Sequence, residues 1–194
     1  MTLTVDTLTE WMNNFAAKIA VNQQLLSDLD TPIGDGDHGF NMNRGMTAVS
    51  QKLTEKPANV TAAFKTIAMT LISTVGGASG PLYGTAFLEM AKKSNTTMDL
   101  GELLDAALAG IEKRGGAKPG DKTMVDVWQA LIPDVKAGNL TQDKIAAAVE
   151  ATKEMVAKRG RASYLGERSK GHVDPGSQSS GYLFEAMLET KGLL

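Results

Sequence analysis

The chain has 194 residues, 42% of them apolar and 22% charged, with a formal net charge of −2. That is the make-up of an ordinary globular protein with enough chain for a real core, expected as one domain over residues 1–194. The near-neutral balance argues against nucleic acid or an anionic membrane as partner, and without cysteine there is no disulfide and no thiolate metal site.

Met1 to Thr7 lacks a basic region followed by an apolar run, so no signal peptide is expected. No stretch is apolar for about eighteen residues, and a cytoplasmic location is the expectation. The apolar spacing is helical almost throughout, with no alternating strand. Leu8, Met12, Phe15, Ile19, Leu26 and Leu29 give one long first helix that ends at an aspartate-rich loop. Met42, Met46, Val49 and Leu53 continue the pattern. Pro57 separates them from a third helix through Phe64, Ile67, Leu71 and Val75. Gly76, Gly77 and Gly80 break that helix, and Pro81 suits the first turn of a fourth. Asp99 is a candidate cap for the fifth, which stops at Gly115-Gly116; Asp121 is a candidate cap for a sixth, kinked or ended early by Pro133. Ile145, Val149, Thr152 and Val156 mark a seventh and Gly181 to Thr190 a short eighth. The long stretch from Arg159 to Ser180 between them reads as irregular. About eight antiparallel helices with short connections make an all-α bundle or barrel.

The chemistry concentrates in the connections. Asp30, Asp35 and Asp37 fall within eight positions, in a segment that Pro32, Gly34, Gly36 and Gly39 keep from being helical. Carboxylates packed that closely call for a cation, and an oxygen-only set suits a hard ion such as Mg²⁺, which commonly shares its site with substrate phosphates. Simple Asp/Gly turns are the plainer alternative. An EF-hand is excluded, because the closing Glu its loop requires would be Met46 counted from Asp35, or Ala48 counted from Asp37. In an up-and-down array every second connection shares an end. The Asp30–Gly39, Gly76–Pro81, Gly115–Thr123 and Arg159–Ser180 connections therefore fall together, away from the plainer turns near Pro57, Thr97 and Asn139. Gly77 to Pro81 opens a helix whose free N–H groups and positive end suit a phosphate, with the Ser79 hydroxyl beside them. No Walker motif is present. Met124 suits a purine face or the core. The basic Arg159–Gly176 run suits a lid over phosphates or a solvated face.

Four strings in order, Gly-Asp-Gly-Asp-His-Gly (34–39), Gly-Gly-Ala-Ser-Gly-Pro-Leu-Tyr-Gly (76–84), Gly-Asp-Lys-Thr-Met-Val-Asp (120–126) and the run from Gly160 to Gly176, resemble the nucleotide-binding L subunit of dihydroxyacetone kinase. The resemblance covers essentially the whole chain; Val125 stands where Leu is frequent. It implies an eight-helix antiparallel barrel with ADP or ATP held across one end and two Mg²⁺ ions on Asp30, Asp35 and Asp37. It implies phosphate contacts from His38, Gly39, Phe40, Asn41, Ser79 and Gly80, an adenine side at Gly116 and Met124, and closure by Arg161, Asp174, Pro175 and Gly176. The related fatty-acid kinase domains read Asp-Gly-Asp-Thr-Gly where this chain has His38, which disfavours that branch.

A stand-alone chain of this length resembles the phosphotransferase-system form. In that form ADP stays bound as a cofactor, a phosphohistidine-carrying M subunit recharges it, and the γ-phosphoryl passes to dihydroxyacetone on a separate K subunit. No catalytic nucleophile or general base is expected in this chain. A homodimer is compatible with the sequence. So are two other uses of the same site, a nucleotide-reporting coactivator of a transcription regulator and a freely exchanging ATP-dependent kinase subunit.

Overall fold

The computed structural model describes residues 3–194; Met1 and Thr2, at the start of the stretch read for a signal peptide, lie outside it. Nine α-helices and no strand occur among the described residues: α1 (Val5–Val21), α2 (Gln23–Asp30), α3 (His38–Leu53), α4 (Val60–Thr74), α5 (Ser79–Lys93), α6 (Leu100–Gly115), α7 (Met124–Lys136), α8 (Gln142–Glu150) and α9 (Pro175–Glu189). Two 3₁₀ segments, Ala151–Glu154 and Arg161–Ser169, lie between α8 and α9. Neighbours run α1, α3, α4, α5, α6, α7, α8, α9 and back to α1, a closed antiparallel ring with α2 set between α3 and α9. No helix among the described residues is long and apolar enough to cross a membrane.

Each helix turns one apolar stripe inward, and the stripes meet in a single core. Trp11, Phe15, Phe64, Tyr83, Phe87, Trp128 and Phe184, drawn from α1, α4, α5, α7 and α9, are all fully buried. Trp128 meets Phe184 edge-on at 5.5 Å, a geometry that adds about 1 kcal/mol to simple burial. Trp11 Nε1 donates to the Leu183 carbonyl at 2.9 Å, so the first and last helices are tied by a bond as well as by packing.

Four features depart from the sequence reading. The long first helix is interrupted at Asn22, where Asn22 Nδ2 turns back to the Lys18 carbonyl and α2 starts afresh. The start of α7 is capped by Thr123, in a reciprocal box with Asp126, and not by Asp121. Pro133 sits inside α7, which continues to Lys136; Gln129, whose carbonyl loses its partner there, is exposed. The last helix begins at Pro175, six positions before Gly181. Its Gly and Ser residues are poor helix formers, but tertiary packing overrides propensity: Ser177, Ser179 and Ser180 are fully buried, and a Cβ on Gly181 would come within 2.7 Å of Val149.

Gly39 illustrates the same rule where α3 meets α2. A Cβ there would lie 1.8 Å from the Gln23 carbonyl oxygen, so α2 and α3 touch through it. A backbone oxygen cannot retreat as a side chain can. Gly39→Ala should therefore destabilise the protein by about 1–3 kcal/mol in denaturant titration; wild-type stability would contradict this packing.

Candidate functional site

The four connections converge. Residues 30–41, 76–82, 111–125, 159–162 and 174–176 all contribute to one cleft of about 380 Å³ at a single end of the ring. A second, largely leucine-lined cleft is formed by Leu100, Leu140, Leu188 and Leu193, from the connections and helix ends of the opposite parity.

Asp30, Asp35 and Asp37 each bring an oxygen within 4.8 Å of the other two. Asp30 is the buried member; its Oδ2 accepts from the backbone N–H of Asp37 at 3.1 Å and of His38 at 3.3 Å. Gly34 is required here, since a Cβ would strike Asp30 Oδ1 at 1.9 Å. Burial raises the Asp30 pKa above the usual carboxylate value, opposed by those N–H bonds and reinforced by Asp35. Arg161 reaches across to pair with Asp35. Three clustered carboxylates with one guanidinium leave negative charge uncompensated, and an all-oxygen donor set of this kind fits a hard divalent cation.

Four helices begin at this cleft: α3, α5, α7 and α9 start at His38, Ser79, Met124 and Pro175. Their positive ends all favour an anion, but they are not equivalent. At α7 and α9 one first-turn N–H each, that of Val125 and that of Ser177, is taken by the side chain of Thr123 and of Asp174. At α5 no side chain takes a first-turn N–H, whereas at α3 the Asp30 carboxylate takes that of His38. The α5 N-terminus is thus open, and that of α3 is tied to the carboxylate cluster through Asp30. Away from them, Leu82, Ile111, Ala117, Met124 and Val125 give an apolar wall. The cleft can bind phosphate and metal at one side and a flat apolar group at the other.

Of the residues expected at a ligand, Asp30, Asp35, Asp37, His38, Asn41, Ser79, Met124, Arg161, Asp174, Pro175 and Gly176 line the cleft. Gly39, Phe40, Gly80 and Gly116 do not. Gly39 is taken up by the α2–α3 contact, and Gly80 by the Val75 carbonyl, 2.3 Å from where its Cβ would sit. Phe40 points to solvent, 48% exposed. Gly116 ends α6 in the left-handed conformation at φ 64°. His38 lines the cleft, but both ring nitrogens are engaged by serines, Nδ1 with Ser79 Oγ at 3.1 Å and Nε2 with Ser179 Oγ at 3.0 Å. Burial pushes its pKa down to about 4, so the ring is neutral and serves Ser79 rather than acting as a cation.

The sequence reading missed Lys122. Its backbone takes φ 60°, rare for a residue with a Cβ, and its side chain is 1% exposed. Nζ donates to the carbonyls of Lys153, Met155 and Ser169 at 3.2, 3.2 and 2.7 Å. Asp121 assists: its carbonyl accepts from Lys158 N at 3.0 Å, and its carboxylate lies 3.5 Å from Arg159 Nε. The basic segment is therefore a pinned strap with a 3₁₀ fold, not a free loop. Burial lowers the Lys122 pKa, opposed by the charges of Asp174 and Glu154. The positive φ, like that of a turn glycine, was the one feature a sequence could not display.

Lys122→Met should leave three carbonyls without donors and cost about 2 kcal/mol or more. Hydrogen exchange should rise across residues 153–171 well before it rises in α4 or α5; uniform protection would contradict the pinning role. A second expectation concerns pH. Burial pushes Asp174 up to about 6, with bonds from Ser177 and the charge of Lys122 opposing and Asp126 reinforcing. The folded protein holds that proton more tightly than the unfolded chain does. Its contribution is therefore favourable at low pH and is lost as pH rises from about 4 to about 6. Asp174→Asn keeps an oxygen for Ser177 and has no such cost. The melting temperature of this variant relative to wild type should climb across that window; a constant offset would contradict the shift.

Comparison with known proteins accords with this geometry. Residues 32–189 match the DAK2 domain. The chain is 53% identical over 188 residues to the "PTS-dependent dihydroxyacetone kinase, ADP-binding subunit DhaL" of Lactococcus lactis subsp. lactis (strain IL1403), covering 96% of this chain and 98% of that one. It is 37% identical to the corresponding PEP-dependent kinase subunit of Escherichia coli (strain K12), over 96% of this chain and 97% of the relative. The fold is shared with the dihydroxyacetone kinase of C. freundii, solved in complex with AMP-PNP and Mg²⁺, at a TM-score of 0.79 and 24% identity over 98% of this chain and 35% of that one. The chain belongs to the DAK2 domain family, alongside the ADP-binding subunits of dihydroxyacetone kinases.

Proposed function

We propose that this chain is the ADP-binding subunit of a phosphotransferase-dependent dihydroxyacetone kinase, holding Mg-ADP as a resident cofactor. One observation carries the reading above all: the carboxylate trio and the N-termini of α3 and α5 border the same cleft. Asp30, Asp35 and Asp37 would hold two Mg²⁺ ions, which when bound supply positive charge to the diphosphate and the migrating group. Ser79 and the first-turn N–H groups of α3 and α5 orient the phosphate oxygens. The wall of Leu82, Ile111 and Met124 takes the base. Arg161, on the strap, is within reach of both the carboxylates and the incoming group. Asp174, Pro175 and Gly176 border the cleft from α9.

Phosphoryl transfer needs alignment and charge neutralisation more than covalent help from the protein. ADP held in the cleft would accept a phosphoryl group from a partner's phosphohistidine, freeing that histidine, and would pass it on to a hydroxyl of dihydroxyacetone held by a K subunit. Proton removal from that hydroxyl is assigned to the K subunit, because His38, its pKa pushed down to about 4, is a weak base with both nitrogens occupied.

Mg-ADP at about a hundred times its Kd should stabilise the protein by about 2.7 kcal/mol, raising the melting temperature by about 5–10 °C. Asp35→Ala or Asp37→Ala should abolish that rise. With a K subunit and a phosphohistidine donor, the wild type should turn over dihydroxyacetone without added ATP. A melting temperature indifferent to Mg-ADP would contradict nucleotide binding, and turnover that requires bulk ATP would contradict the resident-cofactor reading.

A further inference from the structure

Behind Ser79 lies a run of buried side-chain hydrogen bonds for which the proposed chemistry has no use. Trp128 Nε1 donates to Ser180 Oγ at 2.9 Å; Ser180 Oγ meets Tyr83 Oη at 3.0 Å; Tyr83 Oη meets Ser179 Oγ at 2.8 Å. Ser179 Oγ then meets His38 Nε2 at 3.0 Å, and His38 Nδ1 meets Ser79 Oγ at 3.1 Å on the cleft wall. Trp128, Ser180, Tyr83 and Ser179 are fully buried, so bulk water does not complete these bonds.

The run has a direction. An indole N–H only donates, so Ser180 must accept from Trp128. The Ser180 proton then has one partner, Tyr83 Oη; turned elsewhere it would be buried unpaired, at a cost of about 1–3 kcal/mol. Tyr83, accepting from Ser180, sends its own proton to Ser179. Ser179 is left with one proton and two acceptors, His38 Nε2 at 3.0 Å and the Gly176 carbonyl at 3.1 Å.

That choice sets what Ser79 shows to the cleft. A neutral imidazole carries one N–H. If Ser179 donates to Nε2, the ring proton is on Nδ1 and donates to Ser79, whose hydroxyl proton is then free to point at a ligand. If Ser179 donates to Gly176, the ring proton is on Nε2, Nδ1 accepts from Ser79, and Ser79 offers the cleft only lone pairs. The first arrangement attracts an anion and the second repels it. Each holds three protons on Ser179, His38 and Ser79, so exchange between them takes up and releases none.

We propose that Ser179 is a positioning residue for anion binding: a phosphate in the cleft selects the arrangement in which Ser179 donates to His38 Nε2, and His38 then presents Ser79 as a donor. This deepens the nucleotide reading and rests on it. Trp128, Ser180 and Tyr83 keep the Ser179 proton from being diverted inward.

The test uses the full-length chain labelled with ¹⁵N-histidine. His38 and His172 are its only histidines, and His172→Gln assigns the spectrum. Ring ¹⁵N shifts are recorded without and with saturating Mg-ADP, with binding followed by calorimetry on the same sample. Binding should move His38 toward the tautomer protonated at Nδ1. Binding with His38 protonated at Nε2, or with the same tautomer in both states, overturns the proposal alone; absence of binding overturns the nucleotide reading and the proposal with it. A double-mutant cycle gives the second readout. Ser179→Ala should weaken Mg-ADP binding about tenfold in the wild-type background and less than about twofold beside Ser79→Ala. Equal losses in both backgrounds would mean that Ser179 is merely structural, and would also overturn the proposal.

Discussion

Charge repulsion among Asp30, Asp35 and Asp37 is the constraint from which the rest of the molecule follows. Three carboxylates within 4.8 Å of one another are unfavourable in water and worse near a protein wall. Much of this end of the ring is arranged to offset them: backbone N–H groups of Asp37 and His38 on Asp30, the Arg161 guanidinium on Asp35, and four helix N-termini facing the cleft. These groups do not complete the neutralisation. What remains is a site that is most comfortable with cations and an anion bound together, and a metal-bound polyphosphate satisfies both needs.

The ring architecture makes this possible because antiparallel helices alternate their ends. Every helix that begins at the cleft brings a positive dipole end, and every connection there is free to be glycine-rich. The opposite end, with the same number of helix termini, gathers leucines instead. Capping then divides the work within the cleft. Thr123 and Asp174 each take an N–H at α7 and α9, which border the apolar side, and Asp30 takes one at α3, whereas no side chain takes a first-turn donor of α5.

Much of this was legible in the sequence. Heptad-like spacing through Phe64, Ile67 and Leu71 or Leu103, Leu104 and Ile111 marks buried helix faces, and counting helices was enough to assign the four polar connections to one end. An error at one boundary did not disturb that parity: the break at Asn22 splits a helix without reversing its direction, and Pro133 leaves α7 intact. What the sequence concealed depends on distance across the fold. The serines of α9 read as part of an irregular connection until their burial against Trp128 and Tyr83 is known. Gly39 and Gly80 sit at close helix contacts and Gly116 at a helix end, packing that no sequence displays. Lys122 resembles a surface lysine, yet it holds the strap by three carbonyls. His38 is expected at the phosphates from its neighbours in sequence; what the sequence does not display is that both its ring nitrogens meet serines, Ser79 and Ser179.

The central claim is one of placement: divalent ions on three aspartates, with phosphates between them and the N-terminal ends of α3 and α5. A crystal grown with ADP and Mn²⁺ tests it directly, because anomalous scattering locates the ions without reference to any expected pose. The account predicts Mn²⁺ peaks bonded to oxygens of Asp30, Asp35 and Asp37, with diphosphate oxygens completing their coordination and the base against Met124. Peaks away from those carboxylates, or nucleotide lodged at the leucine-lined end near Leu140 and Leu193, would contradict it.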